Sequence, residues 1–302
     1  MKGVGFIDDF LPKYNPTNDY IFKRLFGHPG NEDITLNLIN SILDNKIYSL
    51  SLDNNTFLEK DVIGDKVGIL DIRATLNNKF PCDIEMQVTR ADNIEERILF
   101  YWSKLYASSI SSGDAYSQLP KTIVILIADF EIDKLNSLPL FHTKWQIREA
   151  EFPKFVLTER LELHIIEIPK LERLMKENVA ILNKDLVSWI KFIKNPKLLE
   201  VSDMENKEIK KANEELDKIL SDEKERYLAD LRFKYLSDRA TMIETGIREG
   251  REQGLKEGKK EGKKEGAKLK AIEIAKNMLK DKKDLDEIMK YTGLTADEIK
   301  KL

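Results

Sequence analysis

Two short segments, GILDIRA from Gly68 to Ala74 and CDIEMQ from Cys82 to Gln87, alternate apolar and polar residues with the period of a strand, and an Asn77-Asn78 turn signal stands between them. That pattern commits the chain to an antiparallel hairpin around which the rest must pack. The hairpin also concentrates acids, and its register decides their neighbours. An odd loop centred on Asn78 sets Asp71 opposite Glu85, whereas a two-residue Asn77-Asn78 loop sets Ile84 there and turns Glu85 away. Asp83, Glu85 and Gln87 share one face of their strand, so the odd loop gathers three acids and an amide. Like charges facing each other across strands destabilise the pairing. A hard divalent ion such as magnesium removes the conflict by taking carboxylate and carbonyl oxygens.

At 302 residues the chain exceeds the usual size of one domain. Apolar and aromatic residues are plentiful up to about Ile193, while Lys, Glu, Gly and Asp dominate from Met204 onward. Three parts are therefore expected: a globular domain over 1–195, a charged helical segment over 196–245, and a glycine-repeat helix with a terminal helical hairpin over 246–302. The formal net charge of -3 neither announces a nucleic-acid partner nor excludes one. Cys82 is the only cysteine, which excludes an intrachain disulfide and a cysteine-based zinc cluster and fits a reducing, cytoplasmic setting. The longest apolar run, Ile123 to Ala128, is far short of the roughly 20 residues that span a bilayer. The N-terminus lacks the succession of a signal peptide, so neither secretion nor a membrane partner is expected.

A helix-start signal at Asn15 to Asn18 precedes apolar residues at helical spacing, and a second helix begins around Asn31 or Asp33. FLEKDVI, GILDIRATL and FPCDIEMQV read as successive antiparallel strands. Asp92 or Asn93 then caps a long amphipathic helix, and KTIVILIADF reads as a buried strand. This order gives an α/β architecture, a mixed sheet with helices against its faces. Further strand-like stretches between Phe141 and Ile168 either extend the sheet or form an accessory layer. Helices are expected over Leu182 to Ile193 and much of Met204 to Glu244.

Gly246, Gly250, Gly254, Gly258, Gly262 and Gly266 recur at every fourth position. In a helix each costs about 1 kcal/mol relative to alanine. Two readings stand: a self-associating helix whose glycines allow close packing, giving a homo-oligomer, or a solvated linker. Beyond the repeat a short helical hairpin is expected, its last helix capped by Thr295.

Asp71 and Glu85 are the candidate metal ligands, the carbonyl of Met86 a third, and Asp83 a supporting acid. Gln87 occupies a position where a cation would stabilise developing negative charge; an amide orients water but brings no charge. Arg97 and Lys104 on the following helix are candidates for reaching a phosphate, with Tyr101 one turn from Arg97. Asp19 is placed as a possible approach to the metal, and Lys23 or Arg24 as a contact to a nucleic-acid backbone. His28, His142 and His164 lack metal-ligand spacing and are assigned structural roles.

In this order NPTNDYIFKRLFG, DKVGILDIRATL, DIEMQV and ERILFYWSKLY resemble the Rpn group of recombination-promoting, transposase-associated nucleases in the PD-(D/E)XK superfamily, over about Asn15 to Phe130. The resemblance implies a restriction-endonuclease-like αβββαβ core with a helical C-terminal extension. It also implies a magnesium-dependent DNA endonuclease, with manganese as a substitute ion and double-stranded DNA as partner. It places Asp71 at the first motif acid, Glu85 at the second, and Gln87 where the superfamily's lysine usually lies. Arg97 and Tyr101 match an RxxxY-like helix. Because that lysine is missing, a noncatalytic DNA-binding or oligomeric assembly protein retaining the nuclease fold is the competing expectation.

Overall fold

The alternating segments become strands of a six-stranded mixed sheet in the computed structural model, which describes residues 13–53, 72–90 and 93–302. In chain order the elements are α1 (Asp19–Phe26), α2 (Glu32–Ile42), β1 (Leu50–Leu52), β2 (Ile72–Leu76), β3 (Phe80–Gln87), α3 (Ile94–Ala107), β4 (Thr122–Ala128), β5 (His142–Arg148) and β6 (Val156–Glu167), followed by α4 (Ile168–Lys176), α5 (Lys184–Lys194), α6 (Lys207–Ser221), α7 (Glu223–Lys280), α8 (Leu285–Thr292) and α9 (Ala296–Ile299). The strands lie in the order β1-β2-β3-β4-β6-β5. The first three are antiparallel, β3, β4 and β6 run parallel, and β5 closes the edge antiparallel to β6. Helix α3 supplies the crossover that parallel neighbours require.

The hairpin turn settles the register. Lys79 N donates to Leu76 O at 3.0 Å, with Asn77 and Asn78 between them at φ 50° and 54°. Asn tolerates this left-handed region better than most residues. Lys79 is then one residue extra, so Leu76 pairs with Phe80, Arg73 with Asp83 and Ile72 with Ile84. This is the odd-loop register for every described pair. Asn77 also pins the turn, its Oδ1 accepting from the main-chain N–H of Tyr48 and Ser49.

Strand alternation sorts two cores. Ile72, Ala74, Leu76, Cys82, Ile84 and Met86 join Ile123, Ile125 and Ile127 on one face, beneath α1, α2, α5 and α6. Val124, Leu126, Ala128, Leu163 and Ile165 pack on the other against Ile94 and Ile98 of α3. The charged helix α6 is held by its stripe of Ile209, Ala212, Leu216 and Ile219 at helical spacing rather than by propensity.

Two sequence expectations fall outside the described residues, and one alternative left open by the sequence is decided. FLEKDVI and Asp71 lie outside the described residues. The described edge strand is instead β1, whose three residues LSL are too short to register as an alternation and are fixed by pairing with β2. The stretches between Phe141 and Ile168 extend the main sheet, with LELHIIEI inside β6 between β4 and β5.

The chain divides into two compact units, Met1–Asp238 and Arg239–Leu302. In the second, Ala275, Ile288, Leu294 and Ile299 form a small core. Gly293, at φ 70°, ends α8 in the left-handed conformation that favours glycine, and Thr295 with Glu298 forms a reciprocal capping box on α9. No helix among the described residues is long and apolar enough to cross a membrane.

Candidate active site

Strand β3 is buried on both faces. Its even-numbered residues enter the larger core; Asp83 and Glu85 point to the side covered by α3, with relative exposures of 2% and 1%. Glu85 Oε1 accepts from Gln87 Nε2 at 2.6 Å and from Arg97 Nη2 at 2.6 Å. Arg97 lies between Ile94 and Ile98, whose packing anchors the first turns of α3 over the sheet. Its guanidinium carbon stands 5.2 Å from the ring centre of Tyr101, one helical turn on.

Two carboxylate oxygens in this group, Glu85 Oε2 and Asp83 Oδ1, are buried with no hydrogen-bond partner among the described residues. Burial pushes both acids upward from the usual carboxylate range. At Glu85 the Arg97 guanidinium opposes the rise and the Asp83 charge adds to it; at Asp83 the charges of Arg73 and Lys23 oppose it. The site therefore holds two carboxyls that ionise reluctantly until positive charge arrives.

The remaining sequence candidates go to different places. Asp19 is gripped by Arg232 of α7, which donates from Nε at 2.9 Å and from Nη2 at 2.6 Å. Arg24 pairs with Glu225 at 2.9 Å, and the Tyr20 hydroxyl donates to the same carboxylate at 2.7 Å. Thus Asp19 and Arg24 tie α1 to the start of α7. Lys23 is buried on α1, and Lys104 is exposed on α3. The Met86 side chain lies in the core.

A family profile described as PD-(D/E)XK nuclease family transposase matches residues 16–246. The chain belongs to the PD-(D/E)XK nuclease family transposases. Residues 268–302 match the Rpn/YhgA-like nuclease family C-terminal HTH domain, a span that holds the end of α7 together with α8 and α9. Together the two matches give this PD-(D/E)XK chain a DNA-related, nuclease-type character. Neither the search of curated proteins nor that of solved structures finds a match.

PD-(D/E)XK nucleases typically use divalent metals, and the donor set fits one. Unpartnered buried carboxylate oxygens suit a hard cation, which takes such oxygens and keeps waters for its other positions. Among the described residues no three metal-binding side chains converge, so a complete protein ligand set requires more than Asp83 and Glu85. The sequence reading missed Arg73, opposite Asp83 in the ladder, although the odd-loop register that pairs Asp71 with Glu85 also pairs these two.

Proposed function

We propose that this chain is a magnesium-dependent DNA endonuclease, with manganese as a substitute ion, hydrolysing phosphodiester bonds of duplex DNA in a recombination or transposition setting. The observation that carries the proposal is the pair of buried oxygens, Glu85 Oε2 and Asp83 Oδ1, without a hydrogen-bond partner among the described residues, with the Arg97 guanidinium on the Glu85 carboxylate. Burying anionic oxygens without donors is costly, and a cation offsets that cost.

Asp71, outside the described residues, is proposed from the sequence as the first motif acid and the partner of Glu85 at the ion. These two acids and the Met86 carbonyl would hold the ion, with Asp83 behind them. When bound, Mg²⁺ would lower the pKa of a coordinated water and balance charge on the phosphoryl oxygens. Gln87 fixes the Glu85 carboxylate through Oε1, leaving Oε2 for the ion. Arg97, which holds Glu85, is the proposed contact to a nonbridging phosphate oxygen, and Tyr101 supports its guanidinium. In the reaction the water oxygen bonds to phosphorus and gives up one proton to solvent, the P–O bond to the leaving oxygen breaks, and the leaving oxygen takes a proton from solvent. Asp19 supports the site only through the seating of α1. The HTH unit supplies a second DNA contact.

The competing reading, a noncatalytic DNA-binding or assembly protein, is favoured by one observation: Arg97 and Gln87 both bind Glu85 Oε1, so the acid is already partly satisfied without an ion. A magnesium-titrated plasmid-nicking assay with wild type, Asp71→Ala and Glu85→Ala separates the two. Cutting by wild type and not by either variant supports the nuclease; metal-independent binding with no cutting supports the rival.

A further inference from the structure

A buried polar relay lies on the other face of the sheet from Glu85, starting level with Met86 at His142 and running along the strands to Glu162, level with Cys82. His142 Nε2 and His164 Nδ1 share a hydrogen bond at 2.8 Å, their rings stacked 5.1 Å apart. His164 Nε2 stands 3.2 Å from Glu162 Oε1, and Glu162 Oε2 stands 2.9 Å from Lys121 Nζ and 3.2 Å from Lys144 Nζ. His164 is fully buried and Glu162 is 2% exposed, yet none of these residues takes part in the proposed hydrolysis.

The relay ends in a cavity. Glu162 and Lys121 open into a space of about 560 Å³, which Lys46 and Arg160 also line. This volume falls within the range of small-molecule sites. Three cations thus face the cavity. Of the two carboxylates beside them, Glu162 is paired with Lys121 and shares Lys144 with Asp44, so the lining carries one net positive charge, with Lys46 and Arg160 standing against Glu159. Ile47, Phe80 and Ile123 give one wall an apolar character, while Asn45 and Asn77 add amides. A lysine fixed by a buried carboxylate, itself fixed by a histidine pair, is a preorganised cation rather than a mobile surface one.

We propose that this cavity binds a phosphomonoester of nucleotide size, its phosphate held by Lys121, Lys46 and Arg160 and its base set against the Phe80 wall. Orthophosphate shares the anionic chemistry but fills a small part of the volume and leaves the apolar wall unused. The proposal stands independently of the nuclease reading, since the two sites share no side chain.

Calorimetric titration of the full chain with dAMP, ribose 5-phosphate and orthophosphate tests it. Saturable dAMP binding, tighter than that of the other two, is expected. Lys46→Gln and Arg160→Gln, both on the rim and checked for an unchanged thermal melt, should each weaken it about tenfold. Orthophosphate binding as tightly as dAMP overturns the nucleotide assignment. Absence of saturation at millimolar dAMP, or wild-type affinity in both rim variants, overturns the site. Loss of dAMP binding in Glu85→Gln would move the ligand to the acid face and overturn it equally.

Discussion

Arg97 and Glu85 meet at 2.6 Å on an acid that is only 1% exposed, so one guanidinium from α3 opposes the upward push of burial on the carboxyl. The crossover helix that makes the parallel sheet possible thereby also delivers the cation to the acid. Fold and site are coupled through Ile94 and Ile98, which bracket Arg97 and bury against β4.

Glu85→Gln should remove plasmid nicking by at least about a hundredfold without lowering the melting temperature. The amide keeps the shape and can still accept from Arg97, while the poorly solvated charge disappears. Nicking at the wild-type rate would remove Glu85 from the chemistry.

Arg97→Met should move the pH dependence of magnesium-supported cutting upward. Arg97 holds the Glu85 carboxyl down, so its loss raises that pKa further, and the ionised form needed for metal binding appears only at higher pH. A pH–rate profile measured beside wild type checks the sign; a downward or absent shift contradicts it.

The hairpin was legible because its two-residue period and its asparagine turn are local. Register was not, because the extra residue Lys79 follows a turn whose own hydrogen bond is that of a two-residue loop, and only the pairing of Leu76 with Phe80 shows the difference. Arg232 could not be matched to Asp19 from spacing, since 213 positions separate them and a bidentate ion pair leaves no periodic trace. The two histidines likewise meet across β5 and β6, 22 positions apart, where the sequence offers no ligand spacing. Local propensity revealed the strands; long-range pairing of buried charge remained hidden.

Arg232→Met should destabilise the first unit by about 3–5 kcal/mol, because it leaves the Asp19 carboxylate buried without its bidentate donor. Adding Asp19→Asn should recover part of the loss. Urea denaturation of the two variants measures both quantities. Equal stability of Arg232→Met and wild type would show that Asp19 has another donor.

Acid should weaken the fold in two stages through the buried relay. Burial lowers the His142 pKa to about 4, with the charge of His164 acting in the same direction. Its contribution is therefore complete above the unfolded value of about 6.5 and is lost as pH falls through about 4. At Glu162 burial alone would raise the pKa, but hydrogen bonds from His164 and Lys121 hold it at about 2. That contribution is present above about 4.5 and is lost as pH falls toward about 2. His142→Gln should flatten the first stage and leave the second, as read from urea midpoints across the acid range.

Replacing Gly250 and Gly258 by alanine should stabilise α7, because an ideal Cβ at either position meets nothing within 4 Å and each substitution contributes about 1 kcal/mol of helix propensity. Circular dichroism melting reads that gain. The same variants decide what the stripe is for. Glycines that seat a second copy of the helix tolerate no methyl at the seam, so sedimentation equilibrium of such a chain would fall toward the monomer mass while helicity rises. A solvated stripe has no seam to disturb, and the mass would stay constant as the melt improves. Opposite movement of mass and melting temperature therefore assigns the repeat to self-association, whereas a melt that rises alone assigns it to solvent.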